Sequence, residues 1–311
     1  MKLFGQAATP QEQALEQAIT HVPAWRGRSA RYAPVSGGIS NTNWRVSIEG
    51  EKVDYFIKIP GVGTDMFIDR HTAHDASLKA ADTGYGAPVV AFIDEMGVEV
   101  FEFMEGWRAS SNTDFLNRDI RHNALHALKA FNEQPSLVQT KTVFDMIDEH
   151  DRQVASLNAQ TPVDHHWLAL QYRRARSALE HAGLDLVPCM NDTLAGNFML
   201  NADNQIRLVD FEYASNNDRH YELALWFGEM FFEPEVELEL IEDYFGSITA
   251  QTLARIQVHK ALADLKWSTW AMVQQAVSVI DFDFYKYGFW KHMRARRVMH
   301  HSQWETWLQQ V

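Results

Sequence analysis

The chain has 311 residues and a mass of 35.7 kDa, with 46% hydrophobic residues, enough to fill the cores of two lobes and to exclude global disorder. Lysine and arginine total 28 against 41 aspartate and glutamate, a net charge of −13, which argues against general binding to a nucleic-acid backbone because that requires clustered cations. One cysteine, Cys189, excludes an internal disulfide and suits a reducing compartment, and with neither a signal-peptide core nor an apolar run near the ~18 residues of a membrane span, a cytoplasmic protein is expected.

Residues 1–30 read as one amphipathic helix, opened by Pro10 and carrying Ala14, Leu15, Ala18 and Ile19 at helical spacing. The alternating NWRVSIEG and the β-branched, aromatic VDYFIKI then predict a hairpin around Glu49-Gly50-Glu51. IDRHTAHDASLKAAD reads as a helix that Gly84, Gly86 and Pro88 terminate. APVVAFID and VEVFEFM follow as two more strands about a turn at Glu95-Met96-Gly97. Beyond Gly106 the pattern turns to long helical stretches, interrupted by NFMLNADNQIRLVDFEYA, two short strands joined by an Asn-Ala-Asp-Asn turn. The fold class is therefore α+β, with a small mixed sheet-plus-helix lobe over 1–105, a larger mostly helical lobe over 106–311, and a hinge between Glu102 and Gly106.

The segment from Asn191 to Glu212 carries the chemistry. Asp192 is followed five residues on by Asn197, and Asp210 ends an apolar strand thirteen residues later. Alone, D-x-x-x-x-N is more often a structural turn than a site. Joined to a strand-borne Asp-Phe-Glu, it supplies what phosphoryl transfer needs: a carboxylate to orient a hydroxyl and take its proton, and hard oxygen ligands for Mg²⁺ across the phosphates. Asp192 suits the first task; Asn197 and Asp210 suit the second. Earlier in the chain, the Gly- and Asn-rich turn containing Gly38, Ser40 and Asn41 allows close backbone approach to phosphate. Lys58, in the otherwise apolar Tyr55-Phe56-Ile57-Lys58-Ile59, either snorkels outward or reaches the α- and β-phosphates of ATP as a cation. Trp267 and Trp270 share one helix face, as core residues or as part of an aromatic box for an ammonium group. Lys291-His292-Met293-Arg294-Ala295-Arg296-Arg297 reads as a solvated helix face.

From Gly37 to about Tyr287 the sequence resembles the choline/ethanolamine kinase branch of the aminoglycoside-phosphotransferase superfamily, whose members share the protein kinase fold. The motifs that carry the likeness are GGISN, FIKI, MNDTLAGN, VDFEYASNNDRHYELA and KWSTWAMVQQAVSVIDFDFYKYG. The resemblance implies a two-lobed kinase-like fold that binds MgATP between its lobes, with an adenine hinge at Glu102, Phe103 and Met104. It also implies a choline cage of Tyr213, Glu229, Trp267, Trp270, Phe282 and Tyr287, in which Glu229 supplies the counter-charge to the acceptor's ammonium. Two positions depart from the family pattern. Met190 stands where a supporting histidine is usual and cannot supply its hydrogen bond, so a slower turnover or a shifted loop is expected. Asp75, a shorter side chain than the usual glutamate, is the carboxylate expected opposite Lys58. The expected reaction is transfer of the γ-phosphate of ATP to a small amino alcohol. Its rivals are the same fold acting on thiamine, an aminoglycoside or a sugar, and a pseudokinase that binds nucleotide as a regulatory module.

Overall fold

A computed structural model describes residues 1–36, 41–61 and 68–311. The chain starts with a short strand β1 (Lys2–Leu3) and then helix α1 (Pro10–His21). The predicted 1–30 helix is thus shorter than expected, and local chemistry explains both ends. Thr9 and Glu12 form a reciprocal capping box with Pro10 in the first turn. Pro23 lacks the N–H needed to continue past Val22, and a single 3₁₀ turn over Pro23–Trp25 leads out instead.

Strands β2 (Ala30–Val35), β3 (Asn41–Ile48) and β4 (Tyr55–Pro60) form an antiparallel meander. Helix α2 (Arg70–Asp82), capped by Asp69, leads to the β5 (Val89–Ile93) and β6 (Val98–Glu102) hairpin, giving one six-stranded sheet in the order β1-β2-β3-β4-β6-β5. Helix α1 lays Leu15, Ala18 and Ile19 on one face of this sheet, against Tyr32, Trp44, Val46 and Ile57. Each large aliphatic side chain buried there contributes roughly 1.5–3 kcal/mol. Side chains alternate across a strand, so the residues between the buried Tyr55, Ile57 and Ile59 of β4 must face the other way. Phe56 and Lys58 do so, beside their cross-strand partners Phe101 and Glu99 of β6.

The remainder is mostly helical. After β7 (Arg108–Ala109) come α3 (Arg118–Asn132), α4 (Val143–Ser156) and α5 (His165–Ala182). Four short strands follow: β8 (Leu186–Cys189), β9 (Phe198–Leu200), β10 (Ile206–Leu208) and β11 (Ser215–Asp218). Helices α6 (Arg219–Met230), α7 (Pro234–Phe245), α8 (Ala250–Val277), α9 (Phe284–Met299) and α10 (Trp304–Gln310) complete the chain. β9 and β10 pair as the expected hairpin, with Asn204 of its turn at φ +59°. The 28-residue α8 is buried on nearly every side because α4, α6, α9 and α10 all pack on it. Gly288 sets the closest approach of α9: a Cβ there would stand 2.8 Å from the Ala271 Cβ of α8. Among the described residues no helix is long and apolar enough to cross a membrane.

Candidate active site

A cavity of about 400 Å³ opens between the sheet and the helical part. Lys58, Phe101, Glu102 and Met104 line it from the sheet, and Asn197, Leu208 and Asp210 from the opposite wall. Of the residues singled out in the sequence for nucleotide and metal binding, Lys58, Glu102, Met104, Asn197 and Asp210 meet here, Asn41 and Asp75 are not part of the lining, and Gly38 and Ser40 lie outside the described residues.

Lys58 Nζ donates to Asp210 Oδ1 at 2.5 Å and stands 3.3 Å from Glu212 Oε1. Burial disfavours the Lys58 charge, but Asp210 and Glu212 together outweigh it and raise its pKa, so the amine stays protonated. Glu212 also accepts from Asn41 Nδ2 at 2.7 Å and from Arg70 at 2.9 Å. The expected pairing of Lys58 with Asp75 is corrected here. Asp75 accepts from Lys79 one turn along α2, at 2.6 Å, and the residues that α2 turns toward Lys58 are Arg70 and Ala73. An aspartate is too short to serve both partners, and the salt bridge at i,i+4 is local. The carboxylates that reach the strand lysine come from the Asp-Phe-Glu segment instead.

Asp210 adopts φ +68°, a left-handed conformation costly for a side-chain-bearing residue and a recurrent feature of functional sites. Asn197 Nδ2 donates to the Asp192 carbonyl at 2.8 Å, and the Val209 N–H donates to the Asn197 carbonyl at 3.0 Å. This fastens the 3₁₀ turn Ala195–Asn197 to the strand end that carries Asp210. With its Nδ2 engaged, Asn197 retains its side-chain oxygen, and Asp210 retains its second carboxylate oxygen. These two hard donors fit Mg²⁺, which takes few protein ligands and completes its shell from phosphates and water.

The loop bearing Asp192 is held from beneath. Glu222 of α6, fully buried, accepts the N–H groups of Met190 at 2.6 Å and Asn191 at 3.0 Å. Asn191, at φ +60°, donates to the Tyr213 carbonyl and to Ser215 Oγ, each at 2.8 Å. Met190 itself is fully buried in the apolar core. Met190 supplies no side-chain hydrogen bond there, and the turn it belongs to is held through its backbone by the buried Glu222 carboxylate. Burial first, then the neighbouring Asp210, raise the pKa of the Asp192 carboxyl.

Aromatic rings within electrostatic reach of Asp192 chain together: Tyr213 to Trp267 at 5.4 Å, Trp267 to Trp270 at 5.3 Å, Trp270 to Tyr287 at 6.1 Å and Tyr287 to Phe282 at 6.0 Å. Trp267 and Trp270 are buried, while Phe282 is exposed at the rim. Glu229 is buried beside this cluster, but it forms an ion pair with Lys291, which also approaches Asp264 at 3.7 Å. The expectation that residues 291–297 form a solvated face is corrected: Lys291 and His292 are wholly buried, where Lys291 pairs with Glu229 and His292 Nε2 hydrogen-bonds Asp164 at 2.8 Å. Sequence reasoning also missed Glu212, Glu222 and Lys266. The one legible signal was a lysine inside the apolar run Leu262-Ala263-Asp264-Leu265-Lys266-Trp267.

A two-part architecture with a strand lysine opposite a strand-borne aspartate, and a second aspartate on a loop beside it, defines a small-molecule kinase of the protein-kinase-like class. Residues 32–244 match the model of the choline/ethanolamine kinase family. The chain belongs to that family. It is 22% identical over 295 residues to a probable ethanolamine kinase of Arabidopsis thaliana, an alignment covering 85% of this chain and 78% of that protein. In three dimensions it is similar to a choline/ethanolamine kinase family protein from Mesorhizobium loti, with a TM-score of 0.81 at 24% identity, covering 95% of this chain and 98% of the other. It is similar also to the choline kinase LicA from Streptococcus pneumoniae, with a TM-score of 0.75 at 20% identity, covering 94% and 99%.

Proposed function

We propose that this chain transfers the γ-phosphoryl group of ATP to the hydroxyl of a small amino alcohol, choline or ethanolamine. What supports the reading is the company Asp192 keeps: its carboxyl feels the charge of Asp210, the partner of Lys58, and acts in turn on the phenol of Tyr213, whose ring packs on Trp267. In this reading the division into a 1–105 nucleotide lobe and a 106–311 substrate lobe is also the division of labour. Adenine lies against the apolar wall of the cavity near Glu102 and Met104, with Asn41 at the phosphate end. Lys58 neutralises the non-transferred phosphates. Asn197 and Asp210 hold Mg²⁺, which when bound offsets charge on the phosphate oxygens. Asp192 hydrogen-bonds the acceptor hydroxyl and takes its proton as the new O–P bond forms and the bond to ADP breaks. Positioning and electrostatic stabilisation do nearly all the catalytic work in this reaction class. The rings of Trp267, Trp270 and Tyr287 place the acceptor's cationic end.

The test is ADP release in a coupled assay with choline, ethanolamine, thiamine, an aminoglycoside and a sugar. Turnover confined to the amino alcohols supports the reading. Turnover only with another acceptor, or none above the Asp192→Ala background, overturns it.

A further inference from the structure

The acceptor end of the crevice already contains an amine, that of Lys266, whose pKa burial pulls well below the usual lysine range, so that its positive charge is held only weakly. Lys266 Nζ lies 3.1 Å from the centroid of the Trp267 ring and 4.6 Å from that of Tyr213. The residue is 1% exposed, and among the described residues its ammonium has no hydrogen-bond partner. A lysine ammonium normally seeks carboxylates or water when buried. An ammonium left with ring faces alone is the arrangement that an aromatic box makes with a guest cation. The neighbouring acids explain why Lys266 settles there. Glu229 is taken by Lys291, and Asp264 stands between Lys291 at 3.7 Å and Arg294 at 3.0 Å. Lys141, the nearest cation on the side of α4, is itself paired with Glu149. What attraction Lys266 receives comes through space from Asp192, and secondarily from Glu229.

We propose that Lys266 is a tethered competitor for the acceptor's ammonium group. Its Nζ covers the Trp267 and Tyr213 faces in the resting enzyme, a cationic acceptor must displace it, and Lys266 thereby sets the affinity of the site for cations. The inference rests on the amino-alcohol reading above. A narrow pocket beside Lys266 is lined by Asp69, Lys141, Glu149, His150 and Glu212; Glu149 is paired with Lys141 and Glu212 with Lys58 and Arg70, so a displaced Lys266 shares carboxylates that are already engaged, and its displacement carries a cost. A neutral alcohol makes no claim on the ring faces as a cation and is indifferent to the charge of residue 266.

The experiment is steady-state kinetics of Lys266→Met, whose stem has similar length and no charge, with choline and with its uncharged isostere 3,3-dimethylbutan-1-ol. The variant's KM for choline is expected to fall about tenfold, with the KM values for ATP and for the isostere held within about twofold. Equal shifts for both alcohols would mean that Lys266 only fills space; an unchanged or raised KM for choline would mean that it does not compete. Either result overturns the proposal while leaving the amino-alcohol reading intact. Failure of both choline and ethanolamine to be phosphorylated by the wild type overturns that reading and the proposal with it; where ethanolamine alone is the substrate, the same comparison is made between ethanolamine and propan-1-ol. Lys266→Leu carries the same expectation should the methionine variant not fold.

Discussion

Lys58 Nζ and Asp210 Oδ1 stand 2.5 Å apart although 152 residues separate them in the chain. The pair joins β4 of the sheet to the Asp-Phe-Glu segment of the helical part, across the mouth of the cavity. Removing the amine leaves Asp210 without its partner and, in the proposed reaction, the phosphates without a fixed cation. Lys58→Met is expected to lower kcat/KM by roughly 10²–10³, read as ADP release, with circular dichroism unchanged. A loss smaller than tenfold would show that the amine has no part in stabilising transferred charge.

Asp192 should govern the acidic limb of the pH profile. Burial and then Asp210 raise its pKa, and only the ionised form can accept a proton. Log(kcat/KM) is therefore expected to climb with pH across a window displaced above the ~4 of a free carboxyl. Asp192→Asn should lower kcat by roughly 10²–10⁴ and leave the nucleotide-induced thermal shift in place.

Trp270 tests the acceptor box. Trp270→Leu keeps apolar volume in a site that is 9% exposed but removes the ring face. The KM for the amino alcohol should rise about tenfold with that for ATP unchanged. Parallel losses for both substrates would place Trp270 in the core alone.

Glu222 is the support beneath the Asp192 loop. Glu222→Ala strands two buried N–H donors, those of Met190 and Asn191, and should cost about 3 kcal/mol of unfolding free energy. Burial pushes the Glu222 carboxyl from the usual 4.5 up to about 7, against the pull of those two N–H groups. The folded state therefore binds the proton more tightly than the unfolded chain. The stabilising contribution of Glu222 is fully present below pH 4.5 and is lost as pH rises through about 7. Urea unfolding of Glu222→Gln against wild type across that window should show a flatter dependence on pH in the variant.

The strands around Lys58 and the hairpin bearing Asp210 were legible because their patterns are local. Period-two alternation marks β3 and β4, and the Asn201–Asn204 turn announces β9 and β10. The 1–30 helix was misjudged because a capping box and a proline end the periodicity at points that hydrophobic spacing alone does not weigh. Asp192, Asn197 and Asp210 could be singled out because their chemical types and order constrain the reaction.

What the linear chain determined by itself was the fold class, and it singled out the oxygen atoms proposed for the reaction and the rings proposed for the acceptor, because each resides in residue type and short spacing. Which charges meet was decided only on folding. Asp75 turns to Lys79 and Glu212 to Lys58, Lys291 leaves an apparent surface to bind Glu229, and Lys266 comes to rest on Trp267. Ion pairs are chosen by distance and desolvation between remote segments, and neither quantity exists until the helices have packed.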